Sequence, residues 1–225
     1  MHFAVTPSSA ARPGGRHASA RVLFLGARLA SRDVLGLCRQ LLSQAGSAMQ
    51  LDHIVATGLS KVWNADGTVT AINLGWDRVM MVESAARIGT APEAYASMAR
   101  IIGVAARAAG ARVALLEPAP GPCVGDWRRV ARAVEAAARA AHADIVPVGG
   151  AWRTALAVRP GLPLLTPSGR VTTLGAYLVA STIAYFISGK SLQALDLPGV
   201  PCSCTALAHR AAIDALGREP VSLAY

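Results

Sequence analysis

RVLFLGARLA, residues 21–30, decides the fold. Val22, Leu23, Phe24 and Leu25 favour a strand that runs into Gly26, and an apolar pattern at helical spacing starts near Ser31. The stretch therefore predicts a strand, a tight turn and a helix. In an open α/β sheet that turn lies at the carboxyl edge, where ligands bind.

Outward from it, Val34, Leu35, Cys38, Leu41, Leu42 and Ala45 mark the first helix, with Ser31 as its N-cap and Gly46 as its stop. Residues 51–57 read as a second strand ending at Gly58, and residues 59–64 as a loop that holds Ser60 and Trp63. Arg78–Val82 is a short apolar run, as expected for a strand covered on both faces, and Glu83 follows it. Pro92 opens a long helix that stops before Gly110, and residues 112–116 form strand four. Asp126 caps a helix over 127–141, whose arginines 128, 129, 132 and 139 read as a solvated face. Strand five spans 144–147, and helices are expected near 151–158, 174–188 and 206–216.

Five strands alternating with helices predict an α/β fold: a three-layer α/β/α sandwich on a flavodoxin-like parallel five-stranded sheet of order 2-1-3-4-5. The 225 residues are read as a tail over 1–20, expected to be disordered, and one α/β domain over 21–225.

Composition narrows the function classes. Hydrophobic residues make up 53% of the chain, yet no unbroken apolar run reaches the roughly 18 residues of a membrane span. The tail lacks the apolar core of a secretory signal, so the cytoplasm is the expected compartment. A net charge of +9 favours phosphates and acidic surfaces, but only 5% of residues are aromatic and no finger, stacking platform or basic helix appears. Nucleic acid is accordingly disfavoured. Cys202 and Cys204 form a C-x-C pair with His209 five residues on, three ligands without a fourth, so no metal or other cofactor is expected.

With its loops placed, the chain resembles the SGNH, or GDSL-type, hydrolases, a family of esterases, lipases and acyl-ester hydrolases. The likeness covers residues 21–191 and rests on framing residues. The family's opening G-N-S or G-D-S follows a strand like VLFLG, where this chain has Gly26, Ala27 and Arg28. The second block's oxyanion glycine matches Gly58, and a Trp-Asp pair before strand three matches Trp76 and Asp77, with Glu83 after the strand. The last block, D-x-x-H-P-S-x-x-G-x-Y-L-A, aligns on Gly175, Tyr177 and Leu178. Its Asp then falls on Pro167 and its His on Arg170.

The resemblance thus implies the fold while the Ser, Asp and His of its triad are replaced by Arg28, Pro167 and Arg170. Arginine serves as neither nucleophile nor base near neutral pH. The expected site is accordingly non-catalytic, a place for a small anionic ligand or glycan built from Gly26, Arg28, Gly58, Ser60, Glu83 and Arg170. Against it stand local salt bridges of the two arginines to Glu83 or Glu117, and Glu83 itself reads as an ion-pair partner or a catalytic acid. Two other classes are kept: an ester hydrolase or acyl transferase with relocated residues, and an interaction module serving a protein partner or a second copy of the chain.

Overall fold

The computed structural model describes residues 20–27, 29, 33–46, 49–119, 127–190 and 192–217. In chain order they form β1 (Ala20–Gly26), α1 (Val34–Gln44), β2 (Met49–Val55), α2 (Leu59–Trp63), α3 (Thr68–Ile72), β3 (Arg78–Val82), α4 (Ala85–Thr90) and α5 (Pro92–Ala108). They continue as β4 (Arg112–Leu116), α6 (Trp127–Ala141), β5 (Asp144–Val146), α7 (Val148–Val158), α8 (Thr173–Ser188) and α9 (Cys202–Ala215). The sheet order is β2-β1-β3-β4-β5, and every pairing is parallel, as the alternation predicts.

Strand side chains alternate between two cores because successive residues point to opposite faces. Val22, Phe24, Met80, Val82, Ala114 and Leu116 join α1, α7, α8 and α9 in one layer. Leu23, Leu25, Val79, Met81, Val113 and Leu115 join α2, α3, α4, α5 and α6 in the other. No helix among the described residues is long and apolar enough to cross a membrane.

The short elements depart from the sequence reading. Residues 59–64, expected as a loop, contain α2, because Leu59 and Val62 both turn into the core from one helical turn. A single turn is too short to show a period, and α3 and α4 escape notice for the same reason. β2 lies two residues earlier than expected, its span fixed by seven parallel pairs from Ala20↔Met49 to Gly26↔Val55. α7 begins directly after β5, and α9 begins at Cys202. The expected caps Ser31 and Asp126 lie outside the described residues.

The Trp76-Asp77 pair serves the opposite end of the sheet from the carboxyl edge. Arg21 stacks over the Trp76 ring at 4.4 Å and donates to the carbonyls of Leu74 and Gly75 at 2.5 and 3.2 Å, while its backbone N–H donates to Asp77 Oδ2 at 2.7 Å. On the outer side of β2, Arg39 donates to the Leu51 carbonyl at 2.6 Å.

α8 is buried on nearly every residue, between the sheet and its neighbouring helices. The Cys38 thiol donates to Ala180 O at 3.4 Å, and burial pushes its pKa up, so it stays protonated. Two α8 tyrosines grip His209 of α9. Tyr177 Oη lies 2.9 Å from Nδ1, and Nε2 lies 3.0 Å from Leu192 O and 2.8 Å from Tyr185 Oη. A carbonyl only accepts, which assigns the proton to Nε2 and leaves Nδ1 to accept from Tyr177.

Burial lowers the His209 pKa below its ordinary value, so the imidazole is neutral in the folded chain. The unfolded chain therefore takes up a proton first as pH falls through about 6.5, and stability present above that pH is lost below it. Urea unfolding between pH 7.5 and 5 should show this decline, at up to about 1.4 kcal/mol per pH unit. His209→Gln, which cannot titrate, should remove that part of the slope; an unchanged slope would show that other groups set it.

Candidate functional site at the carboxyl edge

The register brings the ends of three strands level, with Gly26 opposite both Val55 and Val82. Beyond them Ala56 N–H donates to Gly26 O, and Ala27 N–H to Val82 O, each at 2.8 Å. The turn at Gly26, the start of α2 at Gly58 and the residue after β3, Glu83, are thereby gathered in one place.

Gly26 has φ +126°, and a Cβ there would lie 2.0 Å from Val82 O. Gly58 has extended backbone that any residue could adopt, but its Cβ would stand 2.6 Å from Glu83 Oε2. The requirement at Gly58 is therefore space. Its N–H has no hydrogen-bond partner among the described residues.

Glu83 is buried, and each carboxylate oxygen accepts a backbone N–H: Oε2 from Leu59 at 2.9 Å and Oε1 from Ser84 at 2.8 Å. It forms no ion pair among the described residues, Arg170 included. Instead it clasps the start of α2 to the end of β3. Glu117 does the same after β4, where it accepts Gly150 N–H at 2.7 Å and pairs with Arg153 at 3.0 Å. Arg153 in turn lies 5.1 Å over the Trp127 ring. The arginine salt-bridged to Glu117 is thus neither of the two expected.

Ser60 is exposed on the first turn of α2 and shares with Glu83 a pocket of about 80 Å³. Leu59, Arg87, Ala91, Ala94, Tyr95 and Met98 complete its wall. Arg87 passes over Gly58, its Cδ 3.2 Å from where a Cβ would stand. Arg87 and Tyr95 escaped the sequence reading. An arginine on a short helix has no period to mark it, and Tyr95 reads as an ordinary core position of α5.

Arg170 lies elsewhere at this edge. Thr166 N–H donates to Arg170 O at 2.7 Å and Gly169 N–H to Thr166 O at 2.8 Å, and Leu165 pairs with Val171 across the turn. This small hairpin leaves the Arg170 side chain exposed, without an ion-pair partner among the described residues and outside the Ser60–Glu83 pocket. Arg28 lies outside the described residues.

The framing residues of the last block have packing roles. Thr172 caps α8 by accepting Gly175 N–H at 3.0 Å and donates to Pro163 O at 2.7 Å. A Cβ on Gly175 would meet Leu164 O at 2.3 Å, and Tyr177 holds His209.

Sheet order, layers and the gathered turns together define a class: the fold is that of the SGNH, or GDSL-type, hydrolases. Among particular solved structures, a protein of Slackia heliotrinireducens assigned as an SGNH hydrolase superposes with a TM-score of 0.61 at 23% identity, over 76% of this chain and all of that one. An acetyl xylan esterase from Geobacillus stearothermophilus gives 0.56 at 14% identity, over 78% and 98%. A GDSL-like lipase from Parabacteroides merdae gives 0.59 at 13%, over 76% and 96%. No family model and no curated protein matches the sequence.

Proposed function

We propose that this chain uses the SGNH-hydrolase fold to bind, without turnover, a small anionic ligand or glycan at the carboxyl edge of its sheet. One observation carries the reading: the Glu83 carboxylate presses on Gly58, beside the N–H that a hydrolase of this fold would aim at a developing oxyanion. A second negative charge forming about 4 Å away would be opposed by on the order of 4 kcal/mol at an effective dielectric of 20. An ionised Glu has no proton to donate to it. The replacement of the family's Ser, Asp and His by Arg28, Pro167 and Arg170 supports the same conclusion. The ligand's charge belongs with the arginines of this edge, Arg170 above all, and its neutral part with the glutamate.

An ester hydrolase with a relocated nucleophile is the second reading, favoured by a Gly58 N–H without a partner among the described residues and by esterases and lipases among the fold matches. A thermal-shift series with acetate, phosphate and sulfate, beside hydrolysis of p-nitrophenyl acetate and butyrate, separates the two. Binding predicts stabilisation of about 2.7 kcal/mol at a hundredfold excess over Kd, abolished in Arg28→Ala and Arg170→Ala, with no turnover. Ester hydrolysis that survives both substitutions would overturn the non-catalytic reading.

A further inference from the structure

Residues 192–201 lead into α9 with no helix or strand of their own. Six of these ten residues are exposed, and Leu192 and Leu197 are the two seated fully in the core. Among the described residues, the one backbone–backbone hydrogen bond within the stretch is Val200 N–H to Leu197 O, at 3.0 Å. A segment with so few buried contacts and backbone bonds opens at a lower free energy than the central strands.

Three buried side chains hold it instead. Leu192 N–H donates to Tyr185 Oη at 3.3 Å, and Leu192 O lies 3.0 Å from both Tyr185 Oη and His209 Nε2. Leu195 N–H donates to Tyr177 Oη at 3.1 Å, and that hydroxyl donates in turn to His209 Nδ1 at 2.9 Å. The imidazole therefore ties both anchor points together, and only the neutral ring can do so, since Nδ1 accepts while Nε2 donates. A second proton would set Nδ1–H against the Tyr177 O–H and leave a charge in the core.

No group facing the ring compensates that charge. α8 supplies only the two tyrosines, and Asp196 of the stretch itself is exposed. On α7 and its C-cap, Arg153 pairs with Glu117, and Arg159 lies 3.2 Å from the Cys204 thiol of α9. On α9, Arg210 and Asp214 are exposed and pair with each other at 2.8 Å.

We propose that residues 192–201 form a pH-released strap: protonation of His209 frees the Leu192 and Leu195 anchors, and the segment lifts from α8 while the rest of the fold stands. The direction follows from burial, which lowers the pKa of the closed ring. Lifting the strap exposes His209 and returns its pKa to about 6.5, so the lifted state takes up the proton first as pH falls. The closed strap is favoured above that pH and progressively lost below it.

Residue-resolved amide hydrogen exchange tests this, with rates expressed as protection factors so that the intrinsic pH dependence drops out. At pH 7.5 Leu192 and Leu195 should be at least about tenfold less protected than Met80 and Met81 of the central strand β3. From pH 7.5 to 5 their protection should fall by up to about thirtyfold, the effect of one proton taken up below about pH 6.5, and His209→Gln should flatten the fall. Tyr177→Phe, which deletes the acceptor of Leu195 N–H, should leave Leu195 less protected than Leu192 at every pH. Strap amides as protected as those of β3, protection independent of pH, an equally steep fall in His209→Gln, or an unaltered Leu195 in Tyr177→Phe would each overturn the proposal.

Discussion

Gly26→Ala should be severely destabilised. The added Cβ would lie 2.0 Å from Val82 O and 2.9 Å from Leu59 Cδ2, at a backbone φ of +126° that L side chains rarely adopt. Val82 O cannot swing aside, because it accepts the Ala27 N–H that holds β1 to β3. Backbone strain of about 1–3 kcal/mol and overpacking of about 1–3 kcal/mol or more fall on a total stability of about 5–15 kcal/mol. Gly46→Ala is the control: its φ is also positive, at +66°, but nothing lies within 4 Å of the new atom. Circular dichroism melts should find the control within a few degrees of the parent and Gly26→Ala lower by about 10 °C or more. Equal midpoints for the two variants would show that Gly26 is not the close approach described.

Glu83→Ala is expected to cost about 3 kcal/mol, and so to lower Tm by about 6–12 °C, although its side chain forms no salt bridge among the described residues. The cost arises because two charge-assisted hydrogen bonds vanish together, leaving the N–H groups of Leu59 and Ser84 without their acceptors. Glu83→Gln keeps one acceptor oxygen and should lose about half as much. Urea midpoints would decide the matter. If Glu83→Ala unfolds at the parent's midpoint, the clasp contributes nothing, and the carboxylate is free to be explained by chemistry instead.

The long elements were legible because their signals are repetitive. β3, β4 and α6 begin and end where the apolar runs and the flanking Pro, Gly and Trp place them. The parallel pairing follows from the alternation of strands and helices, because parallel neighbours need crossovers. α2, α3 and α4 were not legible, since each spans five or six residues and is held by tertiary burial rather than by a period of its own.

The site divides along the same line. Gly26 and Gly58 could be placed from the strands before them, because a strand end fixes where its turn must emerge. Glu83 could be placed but its partners could not. The donors to its carboxylate, at Leu59 and Ser84, are backbone groups, and backbone groups leave no trace in residue identity. Tyr95 is the harder case. Whether a tyrosine on a buried helix face finds a partner depends on a few tenths of an ångström, which no pattern of letters carries.

The arginine that closes on β2 bears on how the molecule behaves in a crowded solution. β2 is an outer strand, and an outer strand normally presents free carbonyls and amides on which a second chain can build. Arg39 occupies the Leu51 carbonyl in the middle of that ladder, and beside it Gln50 and Asp52 are joined at 2.8 Å, with Asp52 charged and exposed. A strand arriving from another molecule would have to displace a guanidinium and bury a carboxylate. At the far side of the sheet β5 offers only three residues, too short a template for stable addition. The same sheet that gathers three turns at its carboxyl end thus offers poor templates for strand addition on both flanks.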